Sequence, residues 1–558
     1  MNKHNLTLLP AIALSCIAGK LLAQQHQRPN ILWIMSDDHS YQTISAYGSE
    51  VSKLAPTPNI DRIAKEGVRF DRAFVENSLS TPSRACLITG LYSHQNGQRR
   101  LGKGIDSTKT FVSELLQNAG YQTGVVGKWH MQCEPKGFDF YRIFRGQGEY
   151  YNPVFKSHDS NGQYLQEQGY ATELTTEHAV EFLNQRDTNK PFFLMVHHKA
   201  PHRNWMPDLK YVGLYDHIQF PLPKTFWDDY DSRGVAAHHQ DMNIANTMRL
   251  ANDNKVFELL DTTQRRRTDF LSAFSPAQRK QWEAYYKKRN KEFLDAQLSD
   301  SALTVWKYQR YLHDYMEVIH SVDQGVGDLL EYLERNNLLE NTIVVYASDQ
   351  GFYMGEHGWF DKRFIYEESF RTPLVIRYPK RIKPGTVDTH LVQNIDFAPT
   401  FLDIAGVKKP DYMTGRSIFE LFAEKPVKNW RTSLYYHYYD YPAEHRVRRH
   451  DGVRTERYKL VHFYGPGLSI ADEWQSNRGD RPARAGNRAF NEDDYLKALR
   501  EREGNRKDPD VNYSELYDLQ NDPNELHNLY GQPGYEKITK ELQKTLDKYR
   551  KDLKVDEF

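Results

Sequence analysis

Three short runs of mainly apolar residues, at 30–35, 191–196 and 341–347, together with a strand read at 121–126, constrain the fold of this chain more than any other feature. Each is too short to be a self-sufficient helix, and none alternates with polar residues. Such runs are strands covered on both faces, as in parallel sheets. Residues 57–70 read as a capped amphipathic helix followed by a strand, residues 112–120 as a second helix stopped by Gly120, and residues 306–336 as long helices. The expectation is an α/β architecture.

The runs end in chemistry. They lead into Ser36-Asp37-Asp38-His39, Gly127-Lys128-Trp129-His130, His197-His198-Lys199-Ala200-Pro201-His202 and Ser348-Asp349-Gln350-Gly351. The C-terminal ends of strands are where open α/β sheets build their sites. Asp37 and Asp38 are hard oxygen ligands suited to Ca²⁺ or Mg²⁺, although the pair also suits an ordinary Asx turn. Alternation puts Lys128 and His130 on one side. Three histidines within 197–202 bring zinc to mind, but no second Cys/His cluster supports it.

Residues 80–90 add a nucleophile. Pro82 suits the first turn of a helix, which places Ser80 at the helix N-terminus, where free N–H groups and the dipole favour an anion. Arg84 projects back from one turn further on. A capped surface helix is the plainer reading of the same residues.

Composition narrows the partners. Lys+Arg and Asp+Glu both total 74 in 558 residues, so no bulk attraction to nucleic acid exists and anion recognition must be local. Residues 1–23 read as a secretory signal, with Lys3, an apolar run and Ala23 before the cut. The run is too short for an integral membrane segment. The expected location is periplasmic; Leu14-Ser15-Cys16 makes only a weak lipoprotein box. After cleavage Cys86 and Cys133 remain, and Cys86 reads as a buried free thiol.

Ser80-x-Pro82-Ser83-Arg84-x-x-x-x-Thr89-Gly90 resembles the signature of the type I sulfatases, and the resemblance extends along nearly the whole chain. It implies an alkaline-phosphatase-like α/β fold, a large mixed sheet sandwiched by helices, with a smaller C-terminal α+β subdomain carrying an antiparallel sheet. It implies that Ser80 is oxidised to formylglycine by a radical-SAM maturase, unless the serine stands in for a cysteine. Asp37, Asp38, Asp349 and Gln350, with residue 80, match the family's ligands for one Ca²⁺ (or Mg²⁺). Arg84, Lys128, His130, His202 and Lys362 match its catalytic and sulfate-binding residues.

The resemblance also suggests a substrate. Asp361-Lys362-Arg363, Tyr366-Glu367, Ile382-Lys383-Pro384 and residues 402–406 look similar to glucosamine-6-sulfatases. The expected activity is exo-acting removal of 6-O-sulfate from N-acetylglucosamine or N-sulfoglucosamine in heparan sulfate or mucin-type glycans. His357, Asp361, Arg363 and His445 are expected to read the sugar, with Arg448 and His450 as further candidates in the loop of His445. A solvated basic loop is the alternative there. Other sulfated sugars (galactose, galactosamine, iduronate), phosphonate or phosphate monoesters, and non-catalytic binding of sulfated glycans are the competing functions. The expected division is a catalytic domain at 24–425, with a helical insertion at 206–300, and a subdomain at 426–558 that closes the cleft.

Overall fold

Along the strand Asn30–Ser36, Leu32 and Ile34 enter one core while Ile31, Trp33 and Met35 enter another. Both faces are apolar, so both must be covered. Helices Pro58–Lys65, Ala171–Gln185 and Asp300–Arg335 cover the first face. Helices Ser80–Thr89, Val112–Asn118 and Phe397–Ile404 cover the second. The computed structural model describes residues 28–102, 104–259, 270–443, 445–469 and 506–558. The signal reading of residues 1–23 and the charge run Arg265-Arg266-Arg267 lie outside them.

The sheet has ten strands, in the spatial order Thr386–Asp388, Val68–Phe70, Leu374–Arg377, Thr342–Ser348, Asn30–Ser36, Phe192–His197, Gln122–Gly127, Phe140–Phe144, Val154–Ser157 and Tyr164–Gln166. The five strands from Thr342–Ser348 through Phe140–Phe144 pair parallel with one another. Leu374–Arg377, Val154–Ser157 and Tyr164–Gln166 pair antiparallel, so the sheet is mixed. In register, Ser36 faces Ser348, Met35 faces His197, and Gly127 faces His197. Four strands thus end at one edge.

A second, antiparallel sheet follows in the order Ser433–Tyr438, His450–Thr455, Tyr458–Gly465 and Val511–Asp518. The terminal helix Glu536–Asp552 packs Leu542 and Leu546 against it. Cys86 and Tyr92 belong to the same cluster as Tyr435, Leu460 and Leu516. Helix Ser80–Thr89 is therefore clamped between the two sheets, and all of its residues are buried. Each large apolar side chain so enclosed contributes roughly 1.5–3 kcal/mol. This clamp makes the helix a rigid mount for Ser80.

The 206–300 region departs from the helical reading. Only Val235–His239 and the helix Pro276–Ala296 are α-helical there; the rest of the described stretch is turns, bends and short 3-10 segments. Residues 206–234 are rich in Pro, Asp and Gly, which favour turns over helix. Helix Pro276–Ala296 begins properly, with a Ser275–Gln278 capping box and Pro276 in its first turn.

Candidate active site at the strand ends

Gly127 shows how the edge is built. Its φ is +89°, and a Cβ there would meet His197 O at 2.0 Å. Only glycine lets this backbone turn so close to the neighbouring strand. Lys128 N then donates to His197 O at 2.7 Å, which aims the lysine side chain along the strand ends. Asp37 is seated the same way: its N–H donates to Ala200 O at 3.1 Å. Asp38 adopts φ 69°, and its carbonyl accepts from Tyr315 Oη at 2.6 Å. Tyr315 stands on the long helix Asp300–Arg335, and no local sequence signal links it to Asp38.

Ser80 is the first residue of its helix, and Leu79 caps that helix without a side chain. Ser80 Oγ donates to Asp37 Oδ1 at 2.8 Å. Arg84, one turn on, donates through Nε to Asp349 Oδ2 at 3.1 Å and through Nη1 to Lys128 O at 2.9 Å. Lys128 Nζ bonds Asp37 Oδ2. Lys362 Nζ lies 2.6 Å from both oxygens of Asp38. Asp349 Oδ1 accepts from Asp38 N at 3.1 Å, and Gln350 Nε2 donates to Asp38 Oδ1. Asp37, Asp38, Ser80, Arg84, Lys128, Asp349, Gln350 and Lys362 thus converge, all buried.

Burial works against every ionised carboxylate here. At Asp37 it is outweighed by Lys128, His202, Arg84 and Lys362, which hold the pKa well below the ordinary value. At Asp38 burial prevails, with Asp37 and Asp349 adding to it against Lys362, and the pKa is pushed up to about 7. Burial and then Asp37 push Asp349 up to about 6. Gln350 Oε1 is buried with no hydrogen-bond partner. Crowded, destabilised carboxylates beside an orphaned amide oxygen are a donor set that fits a hard divalent cation. Asp37, Asp38 and His202 offer ligand atoms within 4.8 Å of one another.

Two histidines join this group. His130 Nδ1 lies 3.1 Å from Thr81 Oγ1, at the start of the Ser80 helix. His202 Nε2 lies 3.9 Å from Asp38 Oδ2. His202 Nδ1 donates to Arg203 O at 2.7 Å, since a carbonyl can only accept, and this leaves Nε2 for proton chemistry. His197 Nδ1 lies 3.1 Å from Lys128 O. Burial pulls His198 down to about 4, so it packs as a neutral ring. Sequence reasoning passed over Lys199, which stands between these histidines and His202 and is buried. Burial, with Lys128 nearby, pulls its ammonium down to about 8, and it stays largely charged at neutral pH.

The residues expected to read the sugar divide. Asp361 Oδ1 accepts from Arg363 Nε at 3.0 Å, and Asp361 Oδ2 lies 3.3 Å from His445 Nε2. The C-terminal region thus delivers His445 to Asp361, the residue before Lys362. His357 does not join them. It is fully buried, its Nδ1 lies 2.7 Å from Asp228 Oδ2, and its ring is packed among Tyr353, Trp359 and Tyr366. Arg448 is buried on Tyr441, and His450 Nε2 accepts from Ile365 N at 3.1 Å. These three are structural. Replacing His357 by Ala is expected to lower stability by about 2 kcal/mol, through the lost contact to Asp228, which keeps Arg233 as its partner, and a cavity among the rings, while KM stays unchanged. Melting curves and steady-state kinetics check this; a raised KM with intact stability would return His357 to the site.

Buried carboxylates interleaved with buried lysines and an arginine around a helix-borne hydroxyl define a hydrolase centre for anionic esters. Comparison with known proteins resolves the class further. The sulfatase family model matches residues 29–407, and the model of the N-sulphoglucosamine sulphohydrolase C-terminal region matches 355–475 and 507–552. The chain is 43% identical to an N-acetylglucosamine-6-O-sulfatase of Bacteroides thetaiotaomicron, across 98% of this chain and 91% of that protein. It is 25% identical to human N-acetylglucosamine-6-sulfatase, across 78% of this chain and 72% of that protein. The solved structure of BT4656 in complex with its substrate D-glucosamine-2-N,6-O-disulfate superposes with a TM-score of 0.84 at 42% identity, across 95% of this chain and 99% of that one. This chain belongs to the sulfatase family and is a sulfuric ester hydrolase.

Proposed function

We propose that this enzyme removes 6-O-sulfate from N-acetylglucosamine or N-sulfoglucosamine at the end of a glycan, with formylglycine at position 80 and Ca²⁺ held by Asp37, Asp38, Asp349 and Gln350. One observation carries the reading. The 43% identity to an N-acetylglucosamine-6-O-sulfatase runs over 98% of the chain, so it spans the segments that supply both the sulfate centre and Asp361, Arg363 and His445.

The roles follow from the geometry. The aldehyde at position 80, once hydrated, supplies the nucleophile, and the cation supplies charge neutralisation for the sulfate oxygens. Arg84 and Lys128 keep the environment of residue 80 positive, which favours loss of its proton. Lys128 and Lys362 hold the sulfate and offset the charge that builds during transfer. His202 takes up at Nε2 the proton released by the hydrated residue 80 and passes it to the departing sugar oxygen, with His130 the second candidate. Asp361, Arg363 and His445 lie outside the sulfate pocket, where hydroxyls of the ring reach them; a site built on such hydrogen bonds rejects epimers strongly. A radical-SAM maturase supplies the modification, and the leader at residues 1–23 sends the protein to the periplasm. No helix among the described residues is long and apolar enough to cross a membrane.

A panel of monosulfated monosaccharides differing in sugar and sulfate position tests the assignment. N-acetylglucosamine 6-sulfate is expected to be cleaved fastest, by at least about tenfold over galactose 6-sulfate. Preference for galactose 6-sulfate or for a 2-O-sulfate would overturn the sugar assignment and leave the sulfatase class intact.

A further inference from the structure

Six lysines are buried in the described structure: Lys128, Lys199, Lys255, Lys307, Lys362 and Lys459. Five have partners. Lys128 bonds Asp37, Lys255 reaches Asp314 at 2.7 Å, Lys307 donates to Ala245 O at 2.7 Å, Lys362 holds Asp38 at 2.6 Å, and Lys459 holds Glu525 at 2.7 Å. Lys199 is the exception. Among the described residues its ammonium makes no ion pair or hydrogen bond, and its one recorded contact is the ring of Tyr150, with Nζ 5.0 Å from the centroid. A buried ammonium without a direct oxygen partner is costly; Asp37, Glu149 and Asp38 act on it only from beyond ion-pair distance, and a ring face offsets only part of the cost.

The backbone pins this residue inside the site. Ala200 O, next in the chain, accepts from Asp37 N at 3.1 Å, and Lys199 O accepts from His202 N at 3.0 Å. Tyr150, under the ammonium, donates its hydroxyl to His202 O at 2.5 Å. Lys199 is therefore locked between the first carboxylate of the centre and the histidine on the leaving-group side. We propose that Lys199 is an anion-binding residue whose missing partner is a sulfate oxygen of the substrate. The proposal rests on the sulfatase reading above. The sulfate in question is either the ester being cut or a second sulfate on the same sugar.

Lys199→Met, which keeps the length and removes the charge, tests this in the full, metal-loaded chain. Inhibition by inorganic sulfate and kcat/KM on N-acetylglucosamine 6-sulfate and on glucosamine 2-N,6-O-disulfate are the readouts. A loss of about 10–100-fold is expected, the scale of one charged contact. An equal loss on both sugars, with weakened inhibition by inorganic sulfate, assigns the ester sulfate; a loss confined to the disulfated sugar assigns the second one. Unchanged kinetics on both sugars with unchanged sulfate inhibition would overturn the proposal. Melting temperature separates a structural role: removing an unpaired buried charge should leave it unchanged or raise it, whereas a lysine kept for packing would lower it. Lys199→Arg retains the charge and should retain most of the sulfate affinity; if it loses as much as Lys199→Met, the charge is not what matters and the proposal fails. If the wild type cleaves neither sugar, the functional reading fails, while calorimetric binding of inorganic sulfate to the wild type and to Lys199→Met still decides Lys199: equal affinity overturns the proposal and weaker binding in the variant supports it.

Discussion

Ser80→Ala is expected to reduce sulfate-ester hydrolysis by ~10⁴-fold or more, the scale on which removing a nucleophile acts. The fold should barely notice. Ser80 contributes one hydrogen bond, to Asp37, and no large apolar surface, so the loss is about 1 kcal/mol. The surrounding helix is held by Ala85, Leu87 and Ile88 on one side and Cys86 on the other, none of which changes. A parallel measurement tests the chemistry rather than the position. Oxidation of the serine to the aldehyde removes two hydrogens, about 2 Da, from a site whose hydroxyl is otherwise a weak nucleophile. Intact-mass analysis after co-expression with a serine-type maturase should show that loss. Full activity without it would refute the formylglycine mechanism, and retained activity in the alanine variant would remove Ser80 from the reaction.

Chelation of the divalent cation is expected to abolish turnover, with Ca²⁺ restoring it and Mg²⁺ second. Stability should move in a particular direction with pH. In the metal-free protein the pKa values of Asp38 and Asp349 rise to about 7 and about 6, against an ordinary value of 3.8. The folded state then favours their neutral forms. That contribution is complete below the ordinary value and is lost as pH rises through 6 and 7. Asp37, held below its ordinary value, works the other way, but it is already ionised throughout this window. This site alone should therefore favour pH 5 over pH 8 in the metal-free protein, against buried histidines such as His39 and His198, whose lowered values favour the higher pH. Cation binding should flatten that slope, because bound carboxylates are ionised throughout. At ~1,000 times its Kd the ion adds about 4 kcal/mol, roughly 3 °C for a chain of this size. A gap in melting temperature between the cation-loaded and the chelated protein that is no wider at pH 8 than at pH 5, or zinc as the restoring ion, would contradict the oxygen-ligand reading.

Local chemistry made much of this molecule legible from its residues. The runs at 30–35, 191–196 and 341–347 form central strands because mainly apolar segments of that length have to be covered on both faces, and 121–126 joins them as a strand whose Val125 and Val126 are buried. Asp37, Asp38, Lys128, His202, Asp349 and Gln350 follow those strands directly, so identifying the strands also placed the residues at one sheet edge. The Ser80 helix was equally readable, since Pro82 and Gly90 mark its first turn and its end within the sequence itself.

Tertiary packing decided the rest. His357 and His445 are both histidines in polar loops, and nothing local separates them. The fold buries the first among aromatic rings on Asp228 and sets the second 3.3 Å from Asp361. The described stretch at 206–259 carries no apolar period, so its turns take their shape from the surfaces they cover, as where Asp253 pairs with Arg203 beside His202. Tyr315 reaches Asp38 across 277 residues of chain. Lys199 is one lysine among many in sequence and becomes distinctive only because, among the buried lysines described, it alone is enclosed without an oxygen partner. Backbone preferences and hydrophobic period act over a few residues and can be read in order. Whether a buried charge is paired depends on contacts between distant segments, and only the folded chain brings those segments together.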